Sequence, residues 1–78
     1  MLQEGDLVLY TTAANRYMFE VEKLVGRLVI PLKGSVVSYE GLFNKMTPVD
    51  FLEPVAIECV VKIIADIAID RYNQSKGV

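Results

Sequence analysis

The sequence predicts a small α+β domain, in which an antiparallel sheet or partial barrel of about four strands precedes a long C-terminal helix. Residues 5–40 contain short apolar runs separated by turn residues, a pattern typical of strands joined by hairpins. Residues 54–73 are largely apolar, with charges recurring every four residues, which aligns them along one side of a helix. A chain of 78 residues is expected to form a single domain.

The predicted strands follow in order along the first half of the chain. Four apolar runs separated by turn residues are expected to form them: residues 7–11, 17–25, 28–32 and 36–39. In the second run, apolar side chains alternate with Glu20 and Glu22, which indicates a strand that buries one face. Gly26 and Arg27 interrupt this alternation and predict a tight hairpin turn into the third strand.

The second half predicts helices. Thr47 followed by Pro48 is a favourable helix start, and Pro54 interrupts helical hydrogen bonding, so we expect a short helical turn over 48–52. A long helix is predicted over 54–73, followed by a frayed tail at 74–78. Valine and isoleucine favour strands, but this apolar run is longer than a buried strand. Four charges spaced four residues apart favour the helix: Glu58, Lys62, Asp66 and Asp70.

The apolar sector of the predicted helix is too wide to be covered from one side. Small domains are commonly reinforced by disulfides, metals or partner subunits. A single Cys59, expected to be buried as a small hydrophobe, excludes an internal disulfide, and the absence of histidine disfavours a zinc site. We therefore expect a homo-oligomer, with a dimer favoured, or alternatively binding to another protein. The predicted interface residues are Ile57, Val60, Val61, Ile64, Ala65, Ile67 and Ala68.

The sequence contains no phosphate-binding glycine loop, paired metal ligands or hydrolase motif. Without histidine, acid–base catalysis would depend on carboxylates, tyrosine or lysine, and no such pair is clustered in sequence. We therefore expect no enzyme activity, no cofactor and no metal. The predicted function is a small protein-interaction or regulatory module.

Two other functions are compatible with the sequence. Aromatic and basic residues lie together in the strand region and could bind nucleic acid: Arg16, Tyr17, Phe19 and Arg27. The formal net charge of −2 argues against this alternative, because nucleic-acid binding is driven by basic excess. A small-ligand pocket at a subunit junction is the third possibility, although no residue identifies the ligand.

The run Glu4-Gly5-Asp6-Leu7-Val8-Leu9-Tyr10 is similar to the opening strand of SH3-like small barrels. This resemblance covers about seven residues, and it implies a binding module rather than a catalyst.

The N-terminus lacks the basic and apolar segments of a signal peptide, and the apolar run of residues 55–69 is too short and too charged for a membrane span. We expect a cytoplasmic protein without membrane association, of either cellular or viral origin.

Overall fold

The structure is a computed structural model that describes residues 1–40 and 45–76. In these residues the chain is α+β, with seven strands, one 3₁₀ turn at Ile57–Cys59 and one helix, α1, at Asp66–Lys76. All strand pairs are antiparallel. The strands are β1 Leu7–Thr11, β2 Arg16–Val25, β3 Leu28–Pro31, β4 Val37–Glu40, β5 Lys45–Pro48, β6 Val55–Ala56 and β7 Val60–Lys62.

The sheet has two branches that share strand β2. The main branch has the order β5-β4-β2-β1-β7, and the second branch runs from β2 through β3 to β6. The register of β2 against β3 shifts between Val21 and Lys23, an irregularity of the kind that bends a strand. The predicted hairpin turn is present: Val25 pairs with Leu28, and Gly26 between them adopts a positive φ of 59°.

The predicted fold class is wrong in its strand number and in its helix. Four strands lie within residues 5–40, but three more follow, so the open seven-stranded sheet is not a partial barrel of about four strands. The expected helix over 54–73 is replaced by β6, the 3₁₀ turn, β7, a linker and the first part of α1, which has 11 residues in total. The β-branched residues Val55, Val60 and Val61 of this segment lie in strands because β3 and β1 offer partners for their backbone groups.

The expected helical turn over 48–52 is also absent. Thr47 and Pro48 belong to strand β5, where Thr47 pairs with Ser38. The next residue, Val49, donates its N–H to the carbonyl of Val36 at 2.9 Å. Backbone pairing to β4 therefore outweighs the local helix-start signal. In the expected frayed tail, residues 74–76 are helical, and residues 77–78 lie outside the described part of the chain.

The main branch of the sheet carries a separate apolar cluster on each face. Alternation along β1 and β2 creates this division: Val8 lies opposite Phe19, whereas the next pair is Leu9 and Met18. The inner cluster contains the buried residues Val8, Phe19, Val21, Val29, Val36, Val55 and Val60. The outer cluster contains the buried residues Met18, Val37 and Tyr72, with Leu7, Leu9, Met46 and Ile63 packed against them.

Helix α1 is held on the outer face through its C-terminal half. Its buried residue, Tyr72, donates its hydroxyl to the backbone carbonyl of Ser35 at 2.5 Å. The buried Ser35 hydroxyl in turn donates to the Leu32 carbonyl at 2.6 Å and accepts the N–H of Glu20. Lys76 forms an ion pair with Glu20 and lies over the Tyr72 ring. The helix is thereby anchored over β4 and β5.

A search of the described residues for membrane-spanning helices finds none of sufficient length and apolar character.

Candidate functional site

An apolar groove of about 450 Å³ lies between α1 and the outer face of the sheet. Its volume falls within the range of about 300–1,000 Å³ that is usual for small-molecule sites. Six apolar side chains line it: Leu9, Met18, Met46, Ala65, Ile67 and Ala68. Three polar residues complete the lining: Arg16, Tyr39 and Arg71.

The groove exists because α1 covers only part of the outer face. Cross-strand pairing aligns Val61, Leu9 and Met18 in one row, which continues to Val37 in β4. The helix packs on β4 and β5, at the opposite side of the main branch from the edge strand β7. The Val37 end of the row is therefore buried, whereas Leu9 lines the groove and Val61 remains exposed.

The polar side chains make the groove basic. The Arg16 guanidinium lies 5.9 Å from the centroid of the Tyr39 ring, a cation–π contact that orients it. Across residues 1–40 and 45–76, the ion pairs join Arg27 to Glu58, Lys62 to Asp6 and Lys76 to Glu20, and they include neither Arg16 nor Arg71. No described acidic residue lines the groove. It thus combines an apolar floor with two guanidinium groups that lack a carboxylate partner in the described chain.

The seven predicted interface residues divide into three groups. Val60 is buried in the inner cluster, and Ile57 is packed against that cluster. Ala65 and Ala68 line the groove. The three others are large aliphatic residues that stay exposed, and we call them the apolar strip: Val61 (61% exposed), Ile64 (80%) and Ile67 (75%). The strip is formed by an edge strand, a linker and the first turn of α1 rather than by one long helix.

The four residues of the predicted nucleic-acid face are not brought onto one surface. Phe19 is fully buried, so its ring cannot stack on a base. Tyr17 is half-buried and stacks on Tyr10, with ring centroids 6.0 Å apart. Arg27 lies in the β2–β3 turn and forms a 3.3 Å ion pair with Glu58. Arg16 points to the opposite face of β2 from Tyr17 and Phe19, because side chains alternate along a strand.

Cys59 is exposed at the end of the 3₁₀ turn, so the prediction of a buried cysteine is wrong. The reason is the loss of the expected helix: a strand and a short turn expose residues that a packed helix would have covered. In the described ranges no three or more histidine, cysteine, aspartate or glutamate residues form a group suited to binding a metal ion.

Tyr72 is the group whose titration the fold changes most clearly. Burial, with a smaller contribution from the nearby Glu20 carboxylate, raises the pKa of its hydroxyl to about 12. The phenol is therefore neutral at physiological pH and remains a hydrogen-bond donor to Ser35. These contacts give Tyr72 a structural role, since they place α1 and therefore one wall of the groove.

Sequence reasoning missed Leu9, Met18, Met46 and Arg71 as groove residues. The alternation in β1 and β2 contained part of the signal, because it separates Leu9 and Met18 from the buried Val8 and Phe19. No comparable signal identifies Arg71, whose position depends on how α1 crosses the sheet.

Comparison with protein-family models, curated proteins and solved structures finds no match to this chain.

Proposed function

We propose that this chain is a non-catalytic protein-interaction module that self-associates through the apolar strip. The exposure of Val61, Ile64 and Ile67 is the observation that carries this proposal. Single exposed aliphatic residues are common, but three within seven positions provide a local apolar surface of the kind found at protein interfaces. A second copy of the chain presents the same surface, so a two-fold arrangement would cover both strips at once.

The free energy available from this surface is of the size that association requires. Burying an aliphatic side chain contributes about 1.5–3 kcal/mol. Two copies contribute six such side chains, or about 9–18 kcal/mol, against an association cost of about 4–15 kcal/mol. The strip therefore supports a dimer when the second copy covers all three side chains.

The edge strand β7 adds a second element to the proposed interface. Val61 pairs with Leu9, and Ile63 donates its N–H to the Leu7 carbonyl at 2.8 Å, so the backbone groups of these residues face β1. Alternation then turns the backbone N–H and C=O of Lys62 away from β1. In the described chain β7 pairs with β1 alone. Pairing of β7 with its copy would satisfy this edge and bring the two strips together.

The test is the substitution Ile64→Asp. Because Ile64 is 80% exposed, a charge there should leave the fold intact while preventing its burial in an interface. Light scattering with size-exclusion chromatography should give a dimer for the wild type and the 8.7 kDa monomer mass for the variant. Circular dichroism checks that both are folded.

The matched control is Val25→Asp, which places the same charge on an aliphatic residue, 51% exposed, in the β2–β3 hairpin. It should retain the dimer mass. A monomeric wild type over the whole concentration range, or dimeric Ile64→Asp, would contradict self-association through the strip.

A further inference from the structure

We propose that the groove between α1 and the sheet is a binding site for an amphipathic carboxylate, a small molecule with an aliphatic body and one carboxylate group. This inference is independent of self-association, because it rests on the groove and its arginines rather than on the apolar strip. Only Ile67 belongs to both surfaces.

The floor of the groove suits an aliphatic chain. Leu9, Met18 and Met46 provide hydrocarbon and thioether surface without a hydrogen-bond donor. Methionine side chains are flexible and polarizable, so they can adapt to ligands of different shape. An aliphatic body placed here would remove its own surface and that of the floor from water, which is the main source of affinity in such sites.

The two guanidinium groups determine which end group the ligand carries. Arg16 and Arg71 lie at the same groove, and within the described chain neither forms an ion pair. The planar guanidinium matches a carboxylate through two parallel hydrogen bonds, which are stronger than hydrogen bonds between neutral groups. A ligand with a cationic end group would be repelled, and one with a neutral end group would lose these bonds.

A single carboxylate fits the groove better than a doubly charged phosphate does. Most of the lining is apolar, so each charge brought into the groove loses favourable hydration. One negative charge is enough to accept hydrogen bonds from both guanidinium groups. The contact between Arg16 and the Tyr39 ring also holds one guanidinium in place before the ligand arrives, which reduces the ordering cost of binding.

The experiment compares three probes by NMR titration of the wild-type protein: decanoate, 1-decanol and acetate, each below the concentration at which it self-assembles. Decanoate has both the chain and the carboxylate, whereas each of the others has one. We expect decanoate to bind at least about tenfold more tightly than decanol, and acetate to show no saturation. The shifted resonances should belong to Leu9, Met18 and Arg71.

The variant Arg71→Gln should lower decanoate affinity towards that of decanol, because only Arg16 remains to bind the carboxylate, while leaving decanol binding unchanged. Lys33→Gln is the matched control, because it removes one positive charge from an exposed position outside the groove lining. It should bind decanoate as the wild type does. Circular dichroism confirms that both variants are folded.

Equal affinity of the wild type for decanoate and decanol, absence of decanoate binding, or unchanged decanoate binding by Arg71→Gln would each overturn the proposal. Light scattering of the same samples separates this result from self-association. The Ile64→Asp variant should bind decanoate normally, since Ile64 does not line the groove. Loss of decanoate binding in this folded variant would contradict the independence of the two surfaces.

Discussion

The two faces of the main sheet branch differ in how the chain covers them. On the inner face, β3 and β6 of the second branch enclose Val8 and Phe19, which are both fully buried. On the outer face, a single 11-residue helix covers the region around Val37 and leaves a groove beside Leu9. The same alternating strands therefore supply a closed core on one side and an incompletely covered surface on the other.

Because of this difference, we expect the inner face to contribute mainly to stability and the outer face to contribute the binding surfaces. The side chains at the centre of the inner face, such as Val8 and Phe19, are fully buried, so substitutions there should act on folding. On the outer face, Tyr72 anchors the C-terminal half of α1. The exposed aliphatic residues of the apolar strip lie in β7, in the linker and in the first turn of α1. Both proposed binding surfaces lie on this side because α1 is too short to cover it.

The largest expected effect tests this comparison directly. Phe19→Ala, on the inner face, should lower the free energy of unfolding by about 3–5 kcal/mol, because it leaves a cavity in a closed core. Leu9→Ala, on the outer face, should cost less than about 2 kcal/mol, since its side chain borders the groove. Urea denaturation of both variants at one protein concentration measures the difference. Equal losses would mean that the two faces are equally packed.

An intermediate effect is expected at the anchor of α1. Tyr72→Phe removes the hydrogen bond to Ser35 and should lower the free energy of unfolding by about 1–2 kcal/mol. Burial raises the pKa of Tyr72 to about 12 in the folded state, above its ordinary value of 10.0. The neutral phenol therefore contributes stability that is fully present below pH 10 and is lost as the pH rises through 12.

Urea denaturation at a series of pH values from neutral to alkaline tests whether the free energy of unfolding falls as the pH rises. The wild type should lose more stability than Tyr72→Phe between pH 10 and pH 12. Parallel losses in the two proteins would show that ionisation of Tyr72 is not linked to unfolding. Decanoate titration of the folded Tyr72→Phe variant measures separately how much the affinity of the groove depends on the hydrogen bond from Tyr72 to Ser35.

The smallest effect is expected outside both faces. Arg27 and Glu58 form an ion pair whose side chains are 77% and 56% exposed. Arg27→Gln should therefore change the free energy of unfolding by less than about 1 kcal/mol. The same denaturation assay measures it and provides the baseline for Phe19→Ala, Leu9→Ala and Tyr72→Phe. A loss as large as that of Phe19→Ala would place this hairpin in the stabilising core, contrary to its exposure.

Local patterns predicted the first half of the chain better than the second. Alternation marked β2, and Gly26 with Arg27 marked its hairpin, because strand pairing between neighbours in sequence leaves a local signal. The segment from Val55 to Ile69 carried conflicting signals: β-branched residues favoured strands, and the charge spacing favoured a helix. The four spaced charges do not lie on one helix: Glu58 lies in the 3₁₀ turn and Lys62 in β7, and only Asp66 and Asp70 lie in α1.

The sequence by itself determined the alternation that divides β1 and β2 into two faces, and it contained the apolar excess that leaves Val61, Ile64 and Ile67 exposed. Only the tertiary structure decided that residues 55–56 and 60–62 form strands, because their partners are distant: Leu9 pairs with Val61 and Leu28 with Ala56. The groove depends on the same long-range placement, since Arg71 and Arg16 line one groove only after α1 has docked on the sheet. The physical reason is that backbone hydrogen bonds to distant strands stabilise these elements. Local residue preferences carry no information about which distant strand edge is available for pairing.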